Sequence, residues 1–426
     1  MSPSADTPET SNSADSTVLS LRKSLCSEDT PLPIRFRALF SLKHVATTSD
    51  DNATRIAAIE AIAAGFTSPS ALLKHELAYC LGQTGNPAAV KPLRQVLADL
   101  KEDPMCRHEA AEALGALGWA DNLDILREYR DRKEEDISII ETCEIAIERI
   151  EIAAIEAIAA GFTSPSALLK HELAYCLGQT GNPAAVKPLR QVLADLKEDP
   201  MCRHEAAEAL GALGWADNLD ILREYRDRKE EDISIIETCE IAIERIEWEN
   251  SEERRKEKLR PSDFASIDPA PPMPESEQKA EVEELGHKLM DTNLPLFLRY
   301  RAMFALRDLA SPPDLPTAVP AVLALAKGLS DSSALFRHEI AFVFGQLSHP
   351  ASIPALTEAL SNTNEASMVR HEAAEALGSL GEEEGVEATL RKFLHDKEKV
   401  VRESCIVALD IAEYEKGGEA EYALIP

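Results

Sequence analysis

The feature that most constrains the fold is internal repetition. Segments 72–85, 105–118 and 137–150 align with one another at a regular spacing, and segments 335–348, 368–381 and 400–413 repeat the same three in the same order. A related segment precedes each series, at 33–46 and at 297–310. A period of about 33 residues is typical of a stacked array in which each unit buries its apolar face on its neighbours.

A second repetition is longer and complete. Residues 56–151 recur without a single change as residues 152–247, which is a duplication of 96 residues. The duplicate adds no independent information, so each motif within it counts once. We therefore predict two homologous halves of four units each, with three units of the first half duplicated. This gives eleven units in all, against eight in a chain without the duplicate.

Every unit has the pattern of two helices. In the segment HEAAEALGALG, the apolar residues Ala110, Ala113, Leu114 and Leu117 follow the spacing i, i+3, i+4, i+7 of one helical stripe. Alternation with a period of two is absent from the sequence. The predicted fold class is all-α, an α-solenoid of helical-hairpin repeats in two homologous halves.

Composition shifts and the repeat boundaries together predict five segments. They are a disordered N-terminal tail at 1–19, an N-terminal arm at 20–151, its identical duplicate at 152–247, a charged, Pro-rich flexible linker at 248–280 and a C-terminal arm at 281–422.

The composition favours a basic partner. Lys and Arg number 45 against 75 Asp and Glu, so the net charge is -30, and we expect neither nucleic acid nor a membrane surface as a partner. We expect no secretory signal, because the first sixteen residues carry no basic cap and no apolar stretch, and no later segment offers about 20 uninterrupted apolar residues. The eight cysteines form no CxxC pair and are expected to be reduced and packed. We expect a cytoplasmic protein, with entry into the nucleus left open.

Six of the ten histidines are followed directly by glutamate. These pairs are His75-Glu76, His108-Glu109, His171-Glu172, His204-Glu205, His338-Glu339 and His371-Glu372. Successive histidines of each series lie one repeat apart, so they occupy the same position on successive helices. At about 100° per residue, His108 points about 200° and Glu109 about 100° away from Ala110 on the apolar stripe. Neither residue is therefore predicted to lie in the core.

Stacked helices share one concave face, so two pairs from each half are predicted to meet in one cleft. Four imidazoles and four carboxylates form a metal site of mixed nitrogen and oxygen character, which suits Fe, Mn or Zn. The absence of thiolates argues against a structural zinc site. The alternative is a solvated helix start in which the glutamate complements the helix dipole, and the matched register of the pairs disfavours it.

Other chemistries find no support. The residue four positions after His108 is Glu112, so the HExxH signature of metalloproteases is missing. No phosphate-binding glycine loop and no GxSxG motif occurs. Glu112, Glu208 and Glu375 share the face of their histidines and are interpreted as ordinary helix-surface acids, with a supporting role beside metal ligands as the alternative.

Four distinct His-Glu pairs on HEAT-like repeats, in two like halves joined by an acidic linker, resemble the deoxyhypusine hydroxylase family. The motif RHEAAEALG in both halves carries the resemblance, which extends from about Ser20 to Tyr422. This chain departs from the family by carrying six pairs in place of four. The resemblance implies a non-haem di-iron monooxygenase that uses two Fe(II) ions and O2 to hydroxylate deoxyhypusine in a translation factor, with electrons from an unidentified donor.

The resemblance also implies roles for individual residues. One iron would be held by His338, His371 and Glu372, and the other by His75, His108 and Glu109 or by their duplicates His171, His204 and Glu205. The glutamate of each first pair would hold the cationic amines of the substrate and is retained as a candidate metal ligand. These glutamates are Glu76, Glu172 and Glu339.

Only one N-terminal copy is expected to complete the site. We predict the linker-proximal copy, with His171 and His204, because its distance along the chain to the second half is that of a 330-residue chain. The first copy keeps its natural neighbour, segment 33–46, which favours the opposite assignment. Two other functions stay open: an acidic scaffold that binds proteins without catalysis, and a lyase or chaperone subunit like the related repeats that attach bilin chromophores.

Overall fold

The computed structural model describes residues 10–259, 262–274 and 282–417. Over these ranges every regular element is a helix and no strand occurs. The predicted all-α fold class is therefore confirmed. None of the helices in the described ranges has the length and apolar character needed to span a membrane.

The α-helices of the described ranges are α1 Thr10–Cys26, α2 Leu32–Thr48, α3 Asn52–Ala63, α4 Ala71–Gly82, α5 Val90–Ala98, α6 Pro104–Leu117, α7 Leu123–Arg130, α8 Ile137–Ala160, α9 Ala167–Gln179, α10 Val186–Ala194, α11 Pro200–Ala212, α12 Leu219–Arg226, α13 Ile233–Glu249, α14 Glu252–Lys256, α15 Val282–Met290, α16 Leu296–Leu309, α17 Ala318–Ala326, α18 Ala334–Leu347, α19 Ile353–Ser361, α20 Ser367–Gly378, α21 Val386–Lys392 and α22 Lys399–Gly417. Short 3-10 helices span Ala64–Thr67, Pro87–Ala89, Ala120–Asn122, Gly161–Thr163, Pro183–Ala185, Ala216–Asn218, Lys327–Ser330 and Pro350–Ser352.

The chain divides into two compact units, unit 1 up to Glu156 and unit 2 from Ala157 onward. Each unit has its own apolar core. The core of unit 1 contains buried residues from Val18 to Ile150, and a core of unit 2 contains buried residues from Ile241 to Ala408. The division falls inside α8, close to the junction of the two identical copies.

Helix α8 runs through that junction without a turn. In unit 1 the helix that begins the first copy, α3, has its own start, because the Asp51 side chain accepts a hydrogen bond from the Thr54 backbone N–H at 2.9 Å. In the second copy the same helical sequence continues directly from the preceding helix. Ala154 is therefore exposed, whereas its counterpart Ala58 is fully buried where α3 packs against α1 and α2.

Each aligned segment that carries a His-Glu pair places a glycine at its contact with the next motif helix. A Cβ built on Gly178 of α9 would lie 2.8 Å from both the Cα and the Cβ of Ala209 on α11. This distance is shorter than a carbon–carbon contact of about 3.5–4.0 Å, so only glycine fits there. The glycine thus sets the distance between α9 and α11, which carry successive His-Glu pairs.

A buried arginine anchors three of the four RHE motifs. The Nε of Arg203 donates to the carbonyl of Leu193 at 3.0 Å, and its terminal nitrogens donate to the two carboxylate oxygens of Glu231 at 2.7 and 2.8 Å. Arg107 and Arg370 make equivalent contacts with Glu135 and Asp396. These bonds hold the start of the motif helix against the preceding helix and against the loop that leads into the next motif helix.

Two predicted segment boundaries differ from the structure. Helix α1 begins at Thr10, inside the predicted tail, because Val18 and Leu25 are buried in the core of unit 1. Residues 1–9 of that tail lie outside the described residues. In the predicted linker, α13 extends to Glu249, and Asp268 binds Arg307 of α16 at 2.9 Å. The described part of the linker is therefore packed rather than free, while residues 260–261 and 275–280 of the predicted linker lie outside the described residues.

Candidate metal centre

Four helices of unit 2 each carry one His-Glu pair in their second turn. Helices α9, α11, α18 and α20 begin at Ala167, Pro200, Ala334 and Ser367, so each histidine is the fifth residue of its helix. The common position explains how residues far apart in the sequence reach the same level of the stack.

Two serines tie the N-terminal copy in unit 2 to the C-terminal arm. The hydroxyl of Ser166 accepts a hydrogen bond from the Leu169 N–H at 3.2 Å and donates to Glu403 of α22 at 3.0 Å. In the matching position, Ser333 caps α18 and donates to Glu237 of α13 at 2.6 Å. Glu237 and Glu403 therefore occupy equivalent positions in their repeats. This equivalence moves segment 400–413 by one residue relative to the predicted alignment, and the buried Cys239 and Cys405 then also match.

The four imidazoles of unit 2 form one compact cluster. The ring centroids lie 5.6 Å apart for His171 and His204, 5.8 Å for His171 and His338, 5.2 Å for His171 and His371, 5.4 Å for His204 and His338, and 5.4 Å for His338 and His371. Ring nitrogens of His171, His338 and His371 all lie within 4.8 Å of one another. The cluster therefore brings donors from both halves within reach of a small shared space.

Carboxylates surround the rings. The Nε2 of His171 is 3.2 Å from an oxygen of Glu205, and the Nε2 of His338 is 3.5 Å from an oxygen of Glu372. In both cases the glutamate of the second pair faces the histidine of the first pair. The Glu172 side chain is 44% exposed and accepts a hydrogen bond from its neighbour His171 at 2.9 Å.

Several of these buried groups lack a hydrogen-bond partner among the described residues. Both ring nitrogens of His204 and of His338 are buried and unpartnered, as is one carboxylate oxygen of Glu339. A buried polar group without a partner costs about 1–3 kcal/mol. A set of unpartnered nitrogens and oxygens aimed at one space fits divalent metal ions, whose coordination would satisfy them.

The electrostatics agree with that fit. Burial and neighbouring imidazoles hold the pKa of His204 and of His338 well below the usual range, so both rings are neutral with lone pairs available. Burial and neighbouring carboxylates raise the pKa of Glu339 and of Glu372. Burial also disfavours the charged form of His171, but the adjacent carboxylates outweigh this and raise its pKa. A bound cation would favour the ionised carboxylates and the neutral rings together.

The cluster borders a small cavity of about 60 Å³. A water molecule needs about 10–15 Å³ on this scale, so the space admits a few ions or waters. On one side the rings of Tyr175 and Phe342 pack edge to face with centroids 5.7 Å apart. The cavity is therefore lined by histidine and glutamate side chains that can bind a metal ion and, on one side, by two aromatic rings.

Eight of the twelve residues predicted as site residues meet in this part of unit 2. They are His171, Glu172, His204, Glu205, His338, Glu339, His371 and Glu372. The remaining four, His75, Glu76, His108 and Glu109, lie in unit 1. The copy that shares a unit with the C-terminal pairs is thus the linker-proximal one.

The sequence pattern misjudged burial at this site. His204 is 0% and Glu205 3% exposed, although the pattern predicted that neither position lies in the interior. Glu109, the identical residue of unit 1, is also buried at 6%, so the glutamate is covered within its own half. His204 is buried because the other half packs against it, with the ring of His338 5.4 Å away, whereas the identical His108 has a side chain that is 35% exposed.

Glu208 and Glu375 were interpreted as surface acids and are instead lining residues of the cavity. Glu375 accepts a hydrogen bond from Ser404 at 2.9 Å and lies 3.5 Å from the Nδ1 of His371. Their spacing of one helical turn from His204 and His371 is the signal that points to this role. Glu112, with a side chain that is 60% exposed, is the surface acid that was expected.

Comparison of the sequence with known proteins identifies the family of this chain. HEAT repeats match residues 62–142, 154–238 and 319–410. The deoxyhypusine hydroxylase of Gibberella zeae is 71% identical over 426 residues, covering 100% of this chain and 98% of that protein. The deoxyhypusine hydroxylase of Neurospora crassa is 60% identical over 410 residues, covering 96% of this chain and 97% of that protein.

A solved structure of human deoxyhypusine hydroxylase in complex with glycerol has 33% sequence identity, covers 96% of this chain and 100% of that chain, and superposes with a TM-score of 0.38. The assignment rests on the fungal sequences, which match over almost their full length. The resemblance carried by RHEAAEALG is confirmed, and the chain belongs to the deoxyhypusine hydroxylase family.

Proposed function

We propose that this protein hydroxylates the deoxyhypusine side chain of a translation factor to hypusine, using O2 and two Fe(II) ions held in unit 2. Membership of the family supports the reaction, since the relatives are named for it. The observation that carries the metal assignment is the close packing of four buried imidazoles with unpartnered ring nitrogens, two of which, His171 and His338, line a cavity together with carboxylates.

The two ligand sets would be His171, His204 and Glu205 for one ion and His338, His371 and Glu372 for the other. Donor atoms of the first set lie within 4.8 Å of one another. In the second set His338 is 3.5 Å from Glu372, and its ring centroid is 5.4 Å from that of His371. Each set offers two imidazoles and one carboxylate, which leaves coordination positions open for small molecules.

When bound, ferrous ions supply a site for O2 and electrons to reduce it. Hydroxylation places one oxygen atom in a carbon–hydrogen bond and converts the other to water, so two electrons and two protons must come from a donor. The chain itself holds the ligands at fixed positions and keeps bulk water away. Arg203 and Arg370 contribute to this rigidity. Each directly precedes a ligand histidine and is itself anchored, because its Nε donates a hydrogen bond to a backbone carbonyl of the preceding helix.

The substrate carries two amines that are protonated at neutral pH, and two carboxylates are placed to receive them. Glu339 is 1% exposed and has an unpartnered oxygen at the cavity, whereas Glu172 lies on its exposed side. An ionised carboxylate without a partner is costly in the interior, so a buried carboxylate favours a cation that reaches it. Glu339 would therefore bind the inner amine and Glu172 the outer one, with Tyr175 and Phe342 beside the methylene chain.

The two identical copies offer a matched test. His171→Ala and His204→Ala should reduce hydroxylation of a deoxyhypusine-containing translation factor below detection and lower the iron content of the purified chain. His75→Ala and His108→Ala, in the same local sequence, should leave hydroxylation readily measurable. Far-ultraviolet circular dichroism should show equal helicity in all four variants.

The reverse pattern, with activity lost only in the first-copy variants, would overturn the assignment of the site to unit 2. A scaffold without catalysis predicts a different result. It would bind its partner equally well in all four variants and contain no iron.

A further inference from the structure

Unit 1 contains a second cluster of metal-binding groups, made from the first copy alone. We propose that His75, His108 and Glu109 bind a single divalent transition-metal ion in an open site. This site does not depend on the proposed function, because no residue of unit 2 contributes to it. The expected ligand is an ion that accepts mixed nitrogen and oxygen donors, such as Zn²⁺.

Glu109 is the centre of the cluster. Its side chain is 8% exposed, and one of its oxygens lies 3.1 Å from the Nε2 of His75. Donor atoms of Glu109, His108 and Glu112 also lie within 4.8 Å of one another. Two imidazoles thus approach one carboxylate from successive helices, α4 and α6.

A neighbouring threonine fixes which nitrogen of His108 is available. The Thr142 hydroxyl donates its only proton to the carbonyl of Ser138 at 2.7 Å. At 2.6 Å from the Nδ1 of His108, the same oxygen must therefore accept a hydrogen bond from that nitrogen. The neutral ring then carries its lone pair on Nε2, on the side of Glu112, which lies 3.9 Å away. An outer hydrogen bond of this kind orients the histidines that bind metals in proteins.

The site is open, unlike its identical counterpart in unit 2. The His75 and His108 side chains are 27% and 35% exposed, against 6% for His171. Water would complete the coordination of an ion here, so we expect it to exchange with chelators faster than the ions of unit 2. Glu76, with a side chain that is 27% exposed, lies 3.5 Å from His75 and provides a further oxygen at the rim.

The test is the stoichiometry of Zn²⁺ binding to the full-length chain after removal of metal. Isothermal titration and elemental analysis would be run with excess Mg²⁺, which occupies sites made of carboxylates alone. We expect three equivalents for the wild type and two for the double variant His75→Ala/His108→Ala. A variant with alanine at His171, His204, His338 and His371 should retain one equivalent. Circular dichroism controls for folding.

Cu²⁺ provides a readout that does not rely on counting. Electron paramagnetic resonance of the variant lacking the four unit 2 histidines should show nitrogen splitting from imidazole, and the splitting should vanish when His75 and His108 are also replaced. Two equivalents in the wild type that persist in His75→Ala/His108→Ala would overturn the proposal. If the unit 2 site bound no metal, the result would be different. The wild type would then bind one equivalent of Zn²⁺, and that equivalent would still require His75 and His108.

Discussion

The glycine contact between α9 and α11, beside the candidate metal centre, provides a quantitative test of how the fold positions the ligands. Gly178→Ala would place a methyl carbon 2.8 Å from the Cα and Cβ of Ala209. A normal contact needs about 3.5–4.0 Å, so α9 and α11 must separate by about 1 Å. The overpacking costs about 1–3 kcal/mol, and the higher helix propensity of alanine offsets about 1 kcal/mol of it.

The consequence for function is larger than that for stability. Metal–ligand distances in proteins hold to within about 0.2 Å, and a displacement of about 1 Å in a catalytic constellation lowers rates about 100-fold. Because α9 carries His171 and α11 carries both His204 and Glu205, we expect hydroxylation to fall by about that factor. Iron retained after dialysis should fall as well.

The first copy supplies the control. Gly82→Ala creates nearly the same overlap, 2.8 Å to the Cβ and 2.9 Å to the Cα of Ala113, within unit 1. It should lower the urea midpoint of its unit as much as Gly178→Ala does in unit 2, with little effect on hydroxylation. Equal activity in the two variants would refute the idea that the glycine contact sets the ligand positions.

Further predictions concern the anchors of the site. Arg203→Ala leaves Glu231 buried without its partner and should destabilise unit 2 by about 3–5 kcal/mol, whereas Arg226→Ala, which removes a pair with the exposed Asp227, should cost under about 1 kcal/mol in the same urea titration. The hydrogen bond from Arg203 lowers the pKa of Glu231, so the stabilisation is complete above the ordinary glutamate value of about 4.3 and is lost as the pH falls through the lowered pKa. The stability difference between wild type and Glu231→Gln should therefore be largest near neutral pH and shrink in acid, and a difference that grows in acid would contradict this. Ser166→Ala removes a helix cap worth about 1 kcal/mol and also the hydrogen bond to Glu403, worth about 1 kcal/mol more, so it should cost about twice as much as Ser70→Ala, which removes the corresponding cap in unit 1. Deletion of residues 56–151 joins Arg55 to Ile152 and restores a capped helix start at Asp51, so the shortened chain should keep the iron content and activity of unit 2, and loss of both would show that unit 1 is required.

The sequence was sufficient for the helices and for the His-Glu pairs of the cluster, but not for Glu208 and Glu375, which also line the cavity. The stripe through Ala110 and Leu114 is a local property, and the regular spacing of the His-Glu pairs transfers that local geometry from one helix to the next. Both follow from the repeat alone.

Burial and the supporting contacts could not be predicted in this way. His204 is fully buried because helices far away in the sequence cover it, while the identical residue His108 has a side chain that is 35% exposed. The same sequence therefore exists in two environments within one chain. The Arg203 anchor was also missed, because its partner Glu231 lies 28 residues away in a loop with no periodic signal.

The uninterrupted helix α8 has a consequence for how such a chain can lengthen. The buried residues Ile139, Cys143, Ile147 and Ile150 lead directly to Ile155 across the junction, all at 5% exposure or less. The insertion begins and ends within helices, so joining its ends required no new loop and left the rotation of the helix continuous. Growth by whole repeats can therefore leave one cluster of His-Glu pairs intact in unit 2 while an identical set of side chains lies in unit 1, where it is free to diverge.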